Sequence, residues 1–186
     1  MPDAQDPMTD HMLVASFKNE KLKEASYTKL VRKYQERLYW HVRRMVVEHE
    51  DTNDILQNVF IKVWKNLGDF REESNLYTWL YRIATNETLT WIEQKKRHTN
   101  ISISGNEDVF AESLTAQKGF DPSKIEWKLQ QAIQSLPEKQ RIVFNLRYYD
   151  EMPYEQMSEL LGTSEGALKA SYHHAVKKVE AFVLNY

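Results

Sequence analysis

The segment YEQMSELLGTSEGALKASYHH, from Tyr154 to His174, consists of a short amphipathic stretch and a longer one, separated by Gly162. Gly162 can take the positive φ that a tight turn needs, and Ser158 is small enough for two helices to cross closely. The segment is therefore predicted to form a helix-turn-helix, whose second helix enters the major groove of DNA. The alternative is a plain helical hairpin in which the glycine only ends the first helix. The inward residues at helical spacing are Met157, Leu160, Leu161, Leu168, Tyr172, Ala175 and Val179.

The rest of the chain also has the pattern of helices. Only five glycines and five prolines occur among the 186 residues, which favours helices over strands and turns. In the second half, IEWKLQQAIQSL and PEKQRIVFNLRYYD predict two helices that are separated at Pro137. In the first half, apolar periodicity predicts helices from Ala25 to about Val47, from Asp51 or Thr52 to about Leu67, and from Ser74 or Asn75 to about Lys96.

The tract between these halves, RHTNISISGNEDVFAESLTAQKGFDPS, lacks helical periodicity and mixes Ser, Thr, Asn and Gly with acids. Such a composition predicts an extended or mobile linker. We therefore predict an all-α fold of two small helical domains. The predicted boundaries are an acidic tail at 1–12, a first domain at 13–97, a linker at 98–122 and a second domain at 123–186.

The linker contains more apolar residues than a wholly solvated segment needs, among them Val109, Phe110, Leu114 and Phe120. They predict a compact resting form, in which the linker helps to hold the two domains together. The alternative is that these are isolated exposed side chains, which are ordinary on protein surfaces, and that the domains are simply tethered.

Composition excludes several kinds of site. There is no cysteine, so disulfides and cysteine-ligated metal sites are excluded. No apolar run approaches the roughly 20 residues that cross a bilayer, and the acidic N-terminus is unlike a secretory signal, so we expect a cytoplasmic protein without a membrane span. P-loop, G-x-S-x-G and H-E-x-x-H motifs are absent, and His41 and His49 lack metal-ligand spacing with the acids at 48–54. We therefore expect no catalytic residue, no metal site and no cofactor.

Charge is distributed unevenly along the first half. The net charge of −2 argues against a strong free-standing nucleic-acid binder. Basic residues predominate from Lys29 to Arg44, whereas acids predominate from Glu48 to Asp54. This alternation indicates either a solvated helix surface or two partners, one basic and one acidic.

The segment SNLYTWLYRIATNETLTW, from Ser74 to Trp91, sets aromatic rings beside hydrogen-bonding groups on one helical run. Leu76, Leu80 and Ile83 can pack inward at helical spacing. The residues beside that apolar face and further round the helix are Tyr77, Tyr81, Trp79, Arg82 and Asn86.

Three motifs occur in order: NDILQNVFIKVWKNL, FREESNLYTWLYRIATNETL and LPEKQRIVFNLRYYDEMPYEQMSELLGTSEGALK. Together they resemble bacterial RNA polymerase sigma factors of the small extracytoplasmic-function (ECF) subgroup, over about residues 13–97 and 121–183. The resemblance implies a transcription initiation factor that has conserved domains two and four on a linker and is a monomer when free. It implies core RNA polymerase and promoter DNA as partners, and an anti-sigma factor as a further partner.

The resemblance assigns reading of the −10 promoter element to YTWLYRIATN. Aromatic faces stack on unpaired bases at roughly 1–3 kcal/mol per base, and polar side chains read extruded bases. In the family, an asparagine matching Asn86 lies in a loop that pockets a flipped base, so Asn86 and Trp79 are the foremost candidates. The alternatives are that Trp79 and Tyr81 belong mostly to the core and that the basic helix end complements the helix dipole. The −10 candidates are Tyr77, Trp79, Tyr81, Arg82 and Asn86, with Lys95, Lys96 and Arg97 for phosphates.

The resemblance also assigns a docking surface and a −35 surface. The NDILQNVF helix of the family docks on a basic coiled coil of the largest polymerase subunit, which makes Asp54, Gln57 and Asn58 the docking candidates. Asn58 departs from the acid that is common at its position, and the recognition helix lacks the arginines common at Ser171, His174 and Val176. The −35 candidates on that helix and its start are Ser164, Gly166, Lys169, Ala170, His173, His174 and Lys177.

Two other functions remain as alternatives. The chain could be a sigma mimic that sequesters an anti-sigma factor, but such mimics carry a receiver domain and nothing here resembles one. It could also be an enzyme, although the motifs that would support an enzyme are absent.

Overall fold

The structure is a computed structural model, and it describes residues 9–46, 49–99 and 125–184. The described residues contain no strand, which confirms the predicted all-α fold. They form eight α-helices, namely α1 (Asp10–Phe17), α2 (Lys23–Met45), α3 (His49–Asn66), α4 (Leu76–Thr99), α5 (Ile125–Gln134), α6 (Glu138–Tyr148), α7 (Tyr154–Leu161) and α8 (Glu165–Leu184). A 3-10 turn at Leu67–Asp69 follows α3.

Helix α1 begins inside the segment that the sequence analysis assigned to an acidic tail. The hydroxyl of Thr9 accepts a hydrogen bond from the backbone N–H of Met12 at 3.3 Å and caps the helix. Asp10 then accepts from Lys33 and from the hydroxyl of Tyr34, each at 2.7 Å. These partners lie more than 20 residues along the chain, so the local sequence pattern did not indicate them.

The first unit is a bundle of α1 to α4. Its interior consists of residues that recur at helical spacing on α2, α3 and α4. The apolar residues of these three helices that have no exposed surface are Leu30, Leu38, Val42, Val59, Val63, Leu80 and Ala84. Removing such apolar surface from water is the main term that holds these helices together.

The second unit consists of α5 to α8. Pro137 separates α5 from α6 as predicted, because proline has no N–H to continue the preceding helix. Gly162 has φ +62° and ψ +30°, the left-handed conformation that ends α7. Helix α8 then crosses back over α6, with Ala175 and Val179 buried against Phe144. The predicted short helix, glycine turn and longer helix are therefore present.

The two units pack against each other. Helix α4 contacts α7, and α2 contacts α6. Apolar residues of the second unit join the buried core of the first, and they are Ile142, Val143, Leu146, Met152, Met157, Leu160 and Leu168. The packed arrangement agrees with the predicted compact form. Nearly all of the predicted linker (98–122), including Val109, Phe110, Leu114 and Phe120, lies outside the described residues.

Candidate nucleic-acid interface

Helix α4 is anchored through its inner face and runs without a break. Leu80, Ala84 and Thr88 have no exposed surface, and the Thr88 hydroxyl donates to the Ala84 carbonyl at 2.7 Å. No glycine or proline occurs between the ends of α4, so nothing in the sequence interrupts the helix. Asn86 therefore lies in the middle of α4, exposed to solvent, and the expectation of a loop around it is wrong.

The aromatic candidates of α4 are engaged by the protein itself to different degrees. The rings of Tyr77 and Tyr81 are 4.3 Å apart, and that of Trp79 lies 5.1 Å from Phe70. Tyr77 and Trp79 are half-buried, whereas Tyr81 is only 1% exposed. Burial and the carboxylate of Asp150 raise the pKa of Tyr81, so its phenol stays neutral and can donate a hydrogen bond. This burial favours the alternative that part of the aromatic set belongs to the core.

Arg82 joins α4 to the helix-turn-helix. Its Nη2 atom donates to the backbone carbonyl of Glu159 on α7 at 2.9 Å, and it lies 3.7 Å from that residue's carboxylate. Arg82 is half-buried in this position. One of the predicted −10 contacts is therefore occupied by the second unit.

The basic end of α4 is paired in part with acids of the first unit. Lys95 donates to Asp51 of α3 at 2.8 Å and lies over the ring of Trp91 at 4.6 Å. Arg97 is exposed and lies 3.8 Å from Glu93 on the preceding turn. The side chain of Lys96 is outside the described part of the structure. Lys95 would exchange an acid for a phosphate on binding DNA, whereas Arg97 is open to solvent.

The docking candidates form one exposed strip on α3. Asp54, Gln57 and Asn58 are all exposed, and helical spacing brings them onto one face. Ile61 continues the strip one turn further and is 45% exposed. Ile61 was not among the predicted docking residues, although the same spacing from Gln57 and Asn58 pointed to it. The strip offers one negative charge, two amides and an apolar end.

The second helix of the helix-turn-helix leaves its outer face open. The hydroxyl of Ser164 accepts from the backbone N–H of Ala167 at 3.4 Å at the start of α8. Lys169 lies 3.0 Å from Glu165 and 5.4 Å from the ring centre of Tyr154. All seven −35 candidates are exposed, namely Ser164, Gly166, Lys169, Ala170, His173, His174 and Lys177. This surface is one exposed helix face, of a size that a major groove of DNA admits, with a modest positive charge from Lys169 and Lys177.

Three side chains that the sequence analysis did not assign to a site meet where the units touch. Asp150, just after α6, accepts from Arg44 Nη1 at 3.0 Å and lies 3.0 Å from His41 Nδ1. The Tyr81 hydroxyl donates to the same carboxylate at 3.4 Å. The other ring nitrogen of His41 is 3.0 Å from the hydroxyl of Thr85. A carboxylate only accepts, so the proton on Nδ1 of His41 must face Asp150.

The described residues contain no cluster of three or more His, Asp or Glu side chains that could hold a metal ion. Across the same ranges, the structure has no helix both long and apolar enough to cross a membrane.

Two family models match the chain in succession. The one described as "Sigma-70 region 2" matches residues 30–98, which include α3 and almost all of α4. The one described as "Sigma-70, region 4" matches residues 126–179, which include the helix-turn-helix.

Curated proteins are similar to the chain over most of its length. It is 30% identical over 156 residues to the ECF RNA polymerase sigma factor SigW of Bacillus subtilis, covering 80% of this chain and 83% of that protein. It is 29% identical over 181 residues to the ECF RNA polymerase sigma-E factor of Escherichia coli K12, covering 93% of each. It is 29% identical over 159 residues to the RNA polymerase sigma-H factor of Pseudomonas aeruginosa, covering 81% of this chain and 82% of that protein.

Solved structures share the fold. One is the sigma factor RpoE in complex with the anti-sigma factor NepR from Bartonella quintana, with a TM-score of 0.68 and 20% identity, covering 84% of this chain and 96% of that one. Another is CnrH in complex with the cytosolic domain of CnrY, with a TM-score of 0.67 and 19% identity, covering 94% of this chain and 96% of that one.

Proposed function

Because the chain belongs to the extracytoplasmic-function (ECF) sigma factors of RNA polymerase, we propose that it reads promoters through two surfaces, α4 at the −10 element and α8 at the −35 element. The chain acts in promoter-specific transcription initiation, and its family consists of initiation factors rather than enzymes. The observation that carries the division of roles is the pair of exposed polar surfaces, around Asn86 on α4 and along α8, within the two matched regions. The protein acts in the cytoplasm, where polymerase and promoters are found.

The −10 surface is centred on Asn86. Its carboxamide can both donate and accept, so it can read the edge of a base that has left the stack. Tyr77 and Trp79 are half-buried and keep part of their rings within reach of a stacked base. Exposed Arg97, with Lys95 two residues before it, supplies positive charge for the phosphates of the same strand.

The −35 surface is the outer face of α8. Helix α7 crosses the DNA backbone in this arrangement, and the first turns of α8 enter the major groove. Lys169 and Lys177 give phosphate or guanine contacts, while His173 and His174 give neutral polar contacts. The net charge of −2 is compatible with this role, since polymerase supplies most of the contacts to the DNA backbone.

Docking on polymerase uses the exposed strip of α3. Asp54 gives the negative charge that suits a basic partner surface, and Gln57 and Asn58 add hydrogen bonds around it. Ile61, which is 45% exposed, adds apolar area at the end of the strip. Apolar anchors surrounded by polar contacts are the usual composition of protein interfaces.

An anti-sigma factor is a further partner. The RpoE structure that shares this fold contains the anti-sigma factor NepR. We extend that type of partner to this chain, with an anti-sigma factor that covers surfaces otherwise available to polymerase or DNA.

Transcription with purified components tests the proposal. The full chain is added to core RNA polymerase on a library of bacterial promoter fragments, and the transcripts are sequenced. We expect transcripts that start downstream of a shared pair of elements, and fewer of them with Asn86→Ala. Gln94→Ala is the matched control, because Gln94 is also exposed and lies two turns further along α4.

The same experiment separates the alternatives. A sigma mimic would bind an anti-sigma factor but give no promoter-specific transcript with core polymerase. A chain that neither binds polymerase nor directs transcription would contradict the proposal.

A further inference from the structure

We propose that Asp150 is an autoinhibitory latch, which holds the two domains together and keeps Tyr81 and Arg82 of the −10 helix from promoter DNA until the domains separate. This inference rests on the proposed function, since it concerns the regulation of the −10 surface. It assigns a role to Asp150, His41 and Arg44, which belong to neither DNA-reading surface.

The latch consists of one carboxylate shared by three donors of the first domain. Asp150 is 6% exposed, and His41 is not exposed at all. Arg44 also stacks over the ring of Tyr149 at 4.3 Å, which fixes its guanidinium beside the carboxylate. Charge-assisted hydrogen bonds of this kind are stronger than neutral ones and demand one geometry. The carboxylate therefore specifies a single docked arrangement of the two domains.

The donors connect the latch to the −10 helix. Tyr81 donates to Asp150 from α4, and His41 contacts Thr85 of the same helix through its other nitrogen. One position after Tyr81, Arg82 is bound to the carbonyl of Glu159. In the packed form, two of the −10 candidates therefore have partners in the second domain.

Beside the latch, a second polar bridge joins the domains, and it includes an arginine that is poorly solvated there. Gln134 donates to the carbonyl of Arg44 at 2.9 Å and accepts from Arg141 at 2.6 Å, so a second polar bridge crosses between the domains. The Nε atom of Arg141 is buried without a hydrogen-bond partner in the described structure. Burial lowers the pKa of Arg141, which means that its charged form is poorly solvated there. Water would relieve both penalties once the domains part.

Only the −10 surface is held in this way. The outer face of α8 is exposed along its whole length in the packed form. In the closed protein the outer face of α8 is therefore open, whereas Tyr81 and Arg82 of α4 are engaged by the second domain. A ligand that binds only the separated domains, such as polymerase with promoter DNA, shifts the population toward the open form.

Energy transfer between two dyes measures the separation of the domains. The chain has no cysteine, so Gln35→Cys on α2 and Lys139→Cys on α6 give exposed labelling positions. Asp150→Asn keeps the shape of the side chain and removes its charge. We expect this variant to raise the ratio of open to closed protein by about tenfold or more, seen as a loss of transfer at unchanged helical circular dichroism.

Glu180→Gln is the matched control, because it makes the same change of charge at an exposed position of α8. It should leave the transfer unchanged. Arg44→Gln is the second variant, and it decides the question if Asp150→Asn does not fold. If the folded variants showed the same energy transfer between the dyes as the parent protein, the proposed latch would be contradicted.

Single-stranded DNA tests the inhibition itself. The probe is a fluorescein-labelled strand of mixed sequence, about 20 nucleotides long, whose binding is followed by anisotropy. Asp150→Asn should bind it several times more tightly than the parent and Glu180→Gln do. Equal affinity in a variant whose domains have separated would overturn the inhibitory role.

The energy-transfer and DNA-binding measurements both use the free protein. Their results can therefore be interpreted whether or not the transcription experiment detects promoter-specific transcripts. Absence of transcription would contradict the proposed function without affecting the test of the latch. If core polymerase and a transcribed promoter left the transfer of the parent protein unchanged, the latch would be contradicted while the function stood.

Discussion

Helices α4 and α8 carry the two candidate DNA-reading surfaces, but they are held by the protein in different ways. Helix α8 packs through one face, with Leu168, Ala175 and Val179 buried, and leaves its outer face to solvent. Helix α4 packs through its inner face on α2 and α3 and also contacts α7 of the other domain. If the two helices read DNA as proposed, we expect α8 to be accessible as it stands and α4 to need a rearrangement first.

The difference follows from the side chains on the two helices. The outer face of α8 has small and polar residues, such as Gly166 and Ala170, which offer a neighbouring domain little apolar area. The corresponding region of α4 has aromatic rings, and rings that stack on bases also pack readily against protein. Tyr81 illustrates this, since it is 1% exposed and lies against His41 with 4.7 Å between the ring centres. The chemistry that suits α4 for single-stranded DNA thus also makes it an internal docking surface.

The largest expected effect concerns the inner face of α4. Leu80 has no exposed surface, so Leu80→Ala should lower the free energy of unfolding by about 2–5 kcal/mol. Denaturant unfolding followed by circular dichroism measures this. Gln94→Ala on the exposed side of the same helix should change stability little. A loss below about 1 kcal/mol for Leu80→Ala would mean that α4 is not anchored as described.

The next effect concerns the outer side of α4. Asn86→Ala should reduce open-complex formation by about tenfold to a hundredfold and relax the preference at one base of the −10 element, since a bidentate contact to a base edge is lost. Polymerase binding should be unchanged, because Asn86 is not on the α3 strip. Permanganate footprinting on a promoter series gives the measurement. Loss of polymerase binding with base preference retained would show that the assignment to DNA is wrong.

The local sequence pattern was sufficient to predict much of the fold and the position of α8. Periodicity predicted α2, α3 and α4 to within a few residues at each end, and Gly162 marked the turn before α8. The membership in the ECF sigma factors, which the three motifs indicated, is confirmed by the family models and the relatives. These features depend on neighbours in sequence, which is why one sequence could reveal them.

The contacts that the −10 residues make with the second domain could not be predicted from local pattern. The Tyr81 hydroxyl donates to Asp150, 69 residues further along, and Arg82 donates to Glu159 after 77 residues. A helical pattern gives the face on which a residue lies but not the second domain that covers it. The loop expected around Asn86 was wrong for a local reason, because no glycine or proline interrupts α4 there.

A smaller effect is expected on docking. Asp54→Lys should weaken binding to core polymerase by about tenfold, because it sets a cation against a basic partner surface. The melting temperature should hardly change, since the Asp54 side chain is exposed. Asp69→Lys, an equal reversal at an exposed position of the 3-10 turn, is the control. A large loss of thermal stability with normal polymerase binding would contradict the docking role.

The smallest effect concerns the open surface of α8 and tests whether its exposure means readiness. Lys169 is paired with Glu165 at 3.0 Å, but both side chains are about half exposed, so the pair contributes no more than about 0.2–1 kcal/mol to stability. Lys169→Gln should therefore leave the melting temperature nearly unchanged. If Lys169 contacts a phosphate, binding of the variant holoenzyme to −35 DNA should weaken equally across sequences, and the slope of log K against log salt should fall by about 1. Lys139→Gln, which changes an exposed lysine of α6 that is not among the −35 candidates, gives the comparison. Fluorescence anisotropy at several salt concentrations gives both the affinity and the slope. A changed preference at one base pair would instead assign Lys169 to a guanine edge. An unchanged slope and unchanged base preference would mean that Lys169 stays with Glu165 and that part of the exposed face of α8 does not read DNA.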